Sequence, residues 1–492
     1  ITKSGWELCC CYKVFTFVPW GVKSVRIMWD LPFLKEKRSM VNGKKDRTLT
    51  TGSIALGLLW FAVPMILGHL LQQFYNIADT LIVGQFLGAK ALAAVGSAYT
   101  LMVFLTSVLL GLCMGSGAIF SLQYGAGDRE ALKRSTFVSL VLIGFVTLVL
   151  NVSVFVWIDP ILRLLHVPEN VYPLMRDYLW VIFWGIGFTF IYNYYASLLR
   201  AIGNSVVPLC FLGVAVVLNI VLDLLFILGC DWGVKGAAWA TVVAQVVSGT
   251  GLCVYTVWKF PEFRIRREDM CMKWQTVKEI AVYSSLTCVQ QSVMNFGILM
   301  VQGLINSFGV AVMAAFAAAV KIDSFAYMPV QDFGNAFSTF IAQNFGAGQM
   351  KRIRDGIRVA VISVTIFCVF ISLVVFGFAC PLMLIFVPAH ETEIISIGIQ
   401  YLRIEGAFYC GIGCLFLLYG FYRGIRKPGM SVVLTVISLG TRVALAYTLS
   451  AIPAVGVAGI WWSIPIGWFL ADVVGVWYYR KGIYIRIYGK VR

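Results

Sequence analysis

Runs of apolar residues recur from Ser53 to the C-terminal tail, separated by short polar or basic stretches. Each run is long enough to carry a helix across ~30 Å of hydrocarbon. The pattern predicts twelve spans, at 53–83, 92–122, 133–157, 173–199, 206–228, 235–258, 279–304, 312–341, 356–386, 396–421, 430–451 and 457–479. No segment shows the two-residue alternation of a membrane barrel. The chain is therefore expected to be an all-α membrane protein.

Polar residues inside these runs are few and patterned. In the first span His69, Gln72, Gln73, Asn76, Asp79 and Thr80 form one helical stripe, at offsets of 3, 4, 7, 10 and 11 from His69. Lipid does not accept such a stripe, so it is expected to face the bundle interior or a watery cavity. Pro64 precedes it and removes one backbone hydrogen bond, offering the helix a place to bend. In the fifth span Asn219 and Asp223 share a face, and Thr241 lies about two turns into the sixth. Three helices thus bring Asp79, Asn219, Asp223 and Thr241 to a similar depth, with Asn193 of the fourth span lower down. Two carboxylates that close cannot both stay ionised, so one holds a proton. With the carboxamide and hydroxyl they equally form an oxygen cage for sodium.

The composition agrees with a membrane solvent: 60% of the 492 residues are hydrophobic and 13% charged, about half the charged share of a soluble domain. The net charge of +16 is not a nucleic-acid footprint. Its cations gather in alternate loops, after spans 2, 6, 8 and 10 and in the tail, which places both termini in the cytoplasm. Thirteen cysteines are scattered without Cys-x-x-Cys spacing, and the three histidines do not cluster. No metal centre is expected beyond a sodium site, and no cofactor. Residues 1–39 lack a sustained period and carry three successive cysteines, Cys9 to Cys11, whereas the stretch from Met40 reads as a basic leader. The expectation is a non-native, poorly ordered extension over 1–39.

The chain also repeats itself. "QYGAGDREALKR" from Gln123 answers "QNFGAGQMKRIR" from Gln343, "LRAIG" from Leu199 answers "YRGIR" from Tyr422, and "WGVKGAAWA" from Trp232 answers "VGVAGIWWS" from Val455. The pairs lie 221–223 residues apart, in register. A duplication of six spans keeps the same orientation in the membrane, so the two six-helix bundles are related by a pseudo-twofold axis along the membrane normal. The expected organisation is an N-terminal lobe over 40–258, a basic linker over 259–278 and a C-terminal lobe over 279–492.

Taken together, "IADTLIVGQFLG", "QYGAG", "LLRAIGNS", "LNIVLD" and the repeated "GVxG" resemble the bacterial type of the multidrug and toxic compound extrusion (MATE) transporters. The resemblance runs from about Met40 to the C-terminus. It implies a V-shaped, monomeric twelve-helix carrier in the inner membrane, exporting drug-like and often cationic amphiphiles in exchange for H+ or Na+. It further implies that Asp79, Asn219 and Asp223 form the cation or proton site, with Thr241 at the sixth-helix hydroxyl position, Asn193 beside them and Pro64 as the bending proline. The second half departs from the first. At the repeat offset Asp79 falls on Met300, Asp223 on Ala446 and Asn219 on Arg442, while Lys321, Asp323 and Asp332 stand inside span 8. Those three read as an internal ion pair or cavity lining, or as a direct coupling or substrate site. The alternative function is a flippase or exporter of lipid-linked or amphiphilic metabolites. An enzyme would need a nucleophile or His–acid constellation, and the sequence supplies none at a credible spacing. The partners expected are a small amphiphilic substrate and membrane lipid.

Overall fold

The computed structural model of the chain describes residues 49–164, 167–169, 171–260, 263–265 and 267–483. The expected extension over 1–39 lies outside them. Among the described residues there is helix and no strand. Eleven helices are long and apolar enough to cross a membrane: α1 (Ile54–Gly88), α2 (Lys90–Ala126), α3 (Arg129–Val156), α4 (Tyr172–Ala201), α5 (Val206–Gly229), α6 (Gly233–Lys259), α7 (Trp274–Asn306), α8 (Val310–Gly346), α9 (Met350–Gly377), α11 (Pro428–Ser450) and α12 (Val457–Lys481). A twelfth span, α10, is made of two helices, Thr392–Ala407 and Tyr409–Gly424, bent by 52°. At that bend the Phe408 N–H bonds the Glu405 carbonyl at 2.9 Å, one residue short of the α-helical step.

Local chemistry explains the breaks. Gly88 separates α1 from α2 with φ of 81°, a conformation that disfavours any side chain. Gly127 ends α2 at φ of 73°, its N–H shared by the Gln123 and Tyr124 carbonyls. Asp128 then caps α3, accepting the Ala131 N–H at 2.9 Å. α1 runs through Pro64 as one helix, with the non-helical backbone angles confined to Gly88.

Two large apolar cores form. One draws on residues from Val83 to Phe263; the other draws on residues from Val301 to Ala471, together with Leu49, Leu58, Phe61, Ala62 and Met65. The first half of α1 is thus packed into the core of the second half of the chain. Its later residues turn the other way, with Val83 in the first core. α1 is the bridge between the halves.

Two seams join the halves, and the duplication relates them. On one, α2 lies against α7: a Cβ at Gly111 would sit 2.6 Å from Cys288 Cα, and one at Gly115 2.5 Å from the Tyr283 carbonyl oxygen. Backbone meets backbone there because the side chains are missing. On the other, α1 runs antiparallel to α8. At the basic face, where the cationic loops lie, the ends of α2 and α8 cross. A Cβ at Gly125 would be 2.0 Å from the Gln343 carbonyl oxygen, and one at Gly346 2.0 Å from that of Leu122. Both glycines and both carbonyls are 221 residues apart (346 − 125 and 343 − 122), so this contact maps onto itself under the internal symmetry.

Candidate functional site

The outer half of α1 carries the first acid. Asp79 is only 9% exposed, and the carboxylate of Asp223 on α5 is fully buried. The two lie within electrostatic range of each other, and both act on the phenols of Tyr75 and Tyr178. Tyr75 stands four residues before Asp79, one helical turn back on the same face, and its hydroxyl meets Thr241 Oγ1 of α6 at 3.0 Å. The orientation of the buried Asn219 carboxamide that satisfies both its ends donates to Asp223 Oδ2 at 2.8 Å. Its carbonyl then accepts from the Thr241 N–H at 3.1 Å and hydroxyl at 3.2 Å. Asp79, Asn219, Asp223 and Thr241 therefore occupy one neighbourhood, as their depths suggested.

Hydrogen bonding in this pocket is incomplete in a specific way. Asn219 and Thr241 spend their groups on each other and on Tyr75 and Asp223. Asp79 Oδ1 and Asp223 Oδ1 are buried without any partner. Leaving a charged oxygen that way costs more than the ~1–3 kcal/mol of a neutral one.

The rest of the stripe does not stay on one face. His69 and Gln73 turn to α8: His69 Nδ1 meets Asp332 Oδ2 at 2.5 Å, and Gln73 Nε2 donates to Met328 Sδ at 3.3 Å. Asn76 reaches Tyr99 of α2 at 3.4 Å, while Gln72 and Thr80 are exposed. The reason is geometric. Offsets from 0 to 11 residues at ~100° per residue spread over an arc rather than a line, and α1 has a different neighbour on each edge of that arc. Asn193 stands apart from the acids: it is half-buried and donates to the Thr189 carbonyl of its own helix at 2.9 Å.

In the second half the three charges of α8 separate. Asp332 takes His69. Asp323 is buried, accepts the Tyr409 hydroxyl at 2.6 Å and hydrogen-bonds Glu405. Arg442 lies within electrostatic range of both acids. Lys321 is exposed, in a depression of about 370 Å³ shared with Phe386, Val387 and Glu391. Glu405 and Tyr75 were missed from sequence; the four-residue spacing of Tyr401, Glu405 and Tyr409, and that of Tyr75 and Asp79, is the signal from which they could have been found. Asp472 of α12 hydrogen-bonds Cys414. Among the described residues no group of three or more His, Cys, Asp and Glu side chains is arranged to hold a metal ion.

A duplicated helical bundle of up to twelve spans, with two acids buried in its first half, is the architecture of a multi-pass membrane protein. The comparisons name it more closely. The MatE family model matches residues 64–225 and again 286–448, one copy per half, so the chain belongs to the MATE family of multidrug efflux transporters. It is 31% identical over 441 residues to the probable multidrug resistance protein YpnP of Bacillus subtilis, covering 89% of this chain and 97% of that one. It is 27% identical to the probable multidrug resistance protein NorM of Thermotoga maritima, over 85% of this chain and 89% of that one. A crystal structure of MATE in complex with MaL6 shares the V-shaped fold, with a TM-score of 0.84, 22% identity and coverage of 91% and 99%.

Proposed function

We propose that this protein is an antiporter that exports drug-like, amphiphilic and often cationic compounds across the cytoplasmic membrane, driven by inward flow of protons. The observation that carries this reading is the pair of buried, unpartnered oxygens, Asp79 Oδ1 and Asp223 Oδ1. A hard metal cation gathers about six oxygens, and here the Asn219 carbonyl and the Thr241 and Tyr75 hydroxyls are already engaged with one another. A proton needs a single carboxylate oxygen. The donor set therefore favours H+ over Na+ as the coupling ion.

The mechanism follows from which form of the pocket each conformer prefers. Protonation removes one of two mutually repelling charges and changes how the outer half of α1 rests on α5 and α6. Export is driven only to the extent that proton and drug bind the two conformers with different affinity. Because the inner half of α1 is packed in the core of the opposite half, a displacement at Asp79 reaches both halves through one helix. The clustering of cations on one face supports cytoplasmic termini, and the presence of both repeats in one chain supports a working monomer.

The test is efflux of a fluorescent organic cation from proteoliposomes, run once with an imposed proton gradient and once with sodium. Efflux driven by the proton gradient, and lost in Asp79→Asn, is expected. Efflux that follows sodium alone overturns the proton assignment, and efflux indifferent to both overturns the antiport reading.

A further inference from the structure

The two seams between the halves are images of each other, yet their chemistry differs. Asp332 on α8 lies 221 residues after Gly111 on α2 (332 − 111), the offset of the repeated GAG segment. Where Gly111 lets α2 touch the backbone of α7, its counterpart presents a carboxylate to α1. The α2–α7 seam is reinforced by Gly115 and by a small core of Ile119, Val138, Ile280 and Tyr283. Contacts of that kind interlock and resist separation.

The α1–α8 seam is built from contacts that can part. His69 meets Asp332, Gln73 meets Met328, and the rings of Phe74 and Phe325 sit 6.5 Å apart, three successive rungs of an antiparallel pair. The His69 side chain is 40% exposed against 2% for Asp332. One member of the clasp is therefore enclosed and the other has an open side. Each lies beside a proline: Pro64 is five residues before His69, and Pro329 three before Asp332. Both prolines remove a helical hydrogen bond, so both strands of the seam have a weakened turn next to the clasp. Arg200 of α4 adds a positive charge near His69 from the first half.

Below the clasp, at the basic face, the end of α8 and the start of α9 hold the segment before α1 and the end of α4 through polar groups. Gln343 accepts the Leu49 N–H at 3.1 Å and donates to the Ala201 carbonyl at 2.7 Å. Asn344 donates to the Leu49 carbonyl at 3.3 Å. Arg352 donates to the carbonyls of Leu49, Thr51 and Gly52 at 3.1, 2.9 and 2.8 Å. Water replaces hydrogen bonds of this sort readily, as it does not replace a glycine seam.

We infer that the α1–α8 seam, with the crossing of α2 and α8 at Gly125 and Gly346, parts to open the transporter towards the basic face, that His69 and Asp332 are the positioning residues that keep it shut, and that the α2–α7 seam stays closed as the hinge. The inference rests on the alternating-access reading above but needs neither substrate nor gradient for its test. Hydrogen exchange of the full-length protein in lipid nanodiscs reads each seam separately. In His69→Gln and in Asp332→Asn, exchange over 49–58 and 343–352 is expected to quicken about tenfold, the worth of one charge-assisted hydrogen bond. Exchange over 283–292 on α7 is expected to stay at the wild-type rate. His69→Lys, which keeps a cation opposite Asp332, is expected to restore protection, which a merely bulky filler would not do. The core segment 194–201 reports whether each variant is folded, and His69→Gln, at a half-exposed position, is the variant least prone to misfold. Unchanged exchange over 49–58 and 343–352 in His69→Gln overturns the inference. So does equal quickening on α7. Failure of proton-driven efflux with this exchange pattern intact would instead count against the antiport reading alone.

Discussion

Replacing Asp79 by Asn separates a functional acid from a structural one, because the two give opposite signs of stability change. Asp79 is buried, and its Oδ1 has no partner. It faces a second buried acid, Asp223, whose Oδ1 is also bare. A carboxylate placed in this way is destabilising by at least ~1–3 kcal/mol, the penalty for an unsatisfied buried polar group, and by more when charged. Asn keeps the shape and removes the charge. The carboxamide is still a buried polar group, so only the excess cost of the charge is recovered, an expected gain on the order of 1 kcal/mol. Domains of 150–250 residues move by roughly 2–4 °C per kcal/mol, and this longer chain moves less, so a small rise in the melting midpoint is expected. Proton-driven efflux is expected to vanish in the same variant. The assay is thermal unfolding in detergent followed by fluorescence, paired with vesicle efflux. The Asp79→Asn/Asp223→Asn double variant is expected to gain less than the sum of the singles, since either change already removes their mutual repulsion. A lower melting midpoint would show that Asp79 is tied to a partner and stabilises the fold. Preserved efflux would show that it is not on the coupling path. Either result refutes the reasoning.

Gly346→Ala places a methyl 2.0 Å from the Leu122 carbonyl oxygen, and overpacking of this kind is expected to cost about 1–3 kcal/mol, read as a lower melting midpoint; Gly88→Ala, where nothing lies within 4 Å but φ is 81°, is expected to be destabilised through backbone strain alone. Thr241→Val removes the hydroxyl between Tyr75 and Asn219 and is expected to cost about 1 kcal/mol for each hydrogen bond lost, with a slower proton-driven efflux and an unchanged route of assembly in the membrane. Tyr409→Phe frees Asp323 Oδ1 from its 2.6 Å hydrogen bond and is expected to lower stability by about 1.5–3 kcal/mol while leaving proton coupling in vesicles intact, because that acid pair has Arg442 near it and the first does not.

Much was legible before any coordinates. Hydrophobic runs determined the number of spans, since a bilayer admits only backbone that satisfies itself in helices. The repeat indicated two similar units, and the family model matches once in each half. Depth along three helices brought Asp79, Asn219, Asp223 and Thr241 together, because rise per residue is nearly constant in a helix. Rotation about the helix axis was much less readable. The stripe on α1 looked like one face, yet its members divide among α8, α2 and the pocket against α5, and Asn193 turns back on its own helix. Periodicity reports which residues are neighbours on one helix and is silent about which helix stands opposite.

That choice of partner belonged to the tertiary structure. Only there does the first half of α1 enter the core of the opposite half, and only there does Asp332 find His69 across 263 residues of chain. The duplication made two equivalent seams available, and small differences in side chain, a glycine at 111 and an aspartate at 332, gave one of them backbone contact and the other a charged clasp. Local chemistry fixed the helices through forces that act within a turn or two. Which helices meet, and how tightly, is settled by packing summed over the whole bundle, a sum that no single segment of sequence contains.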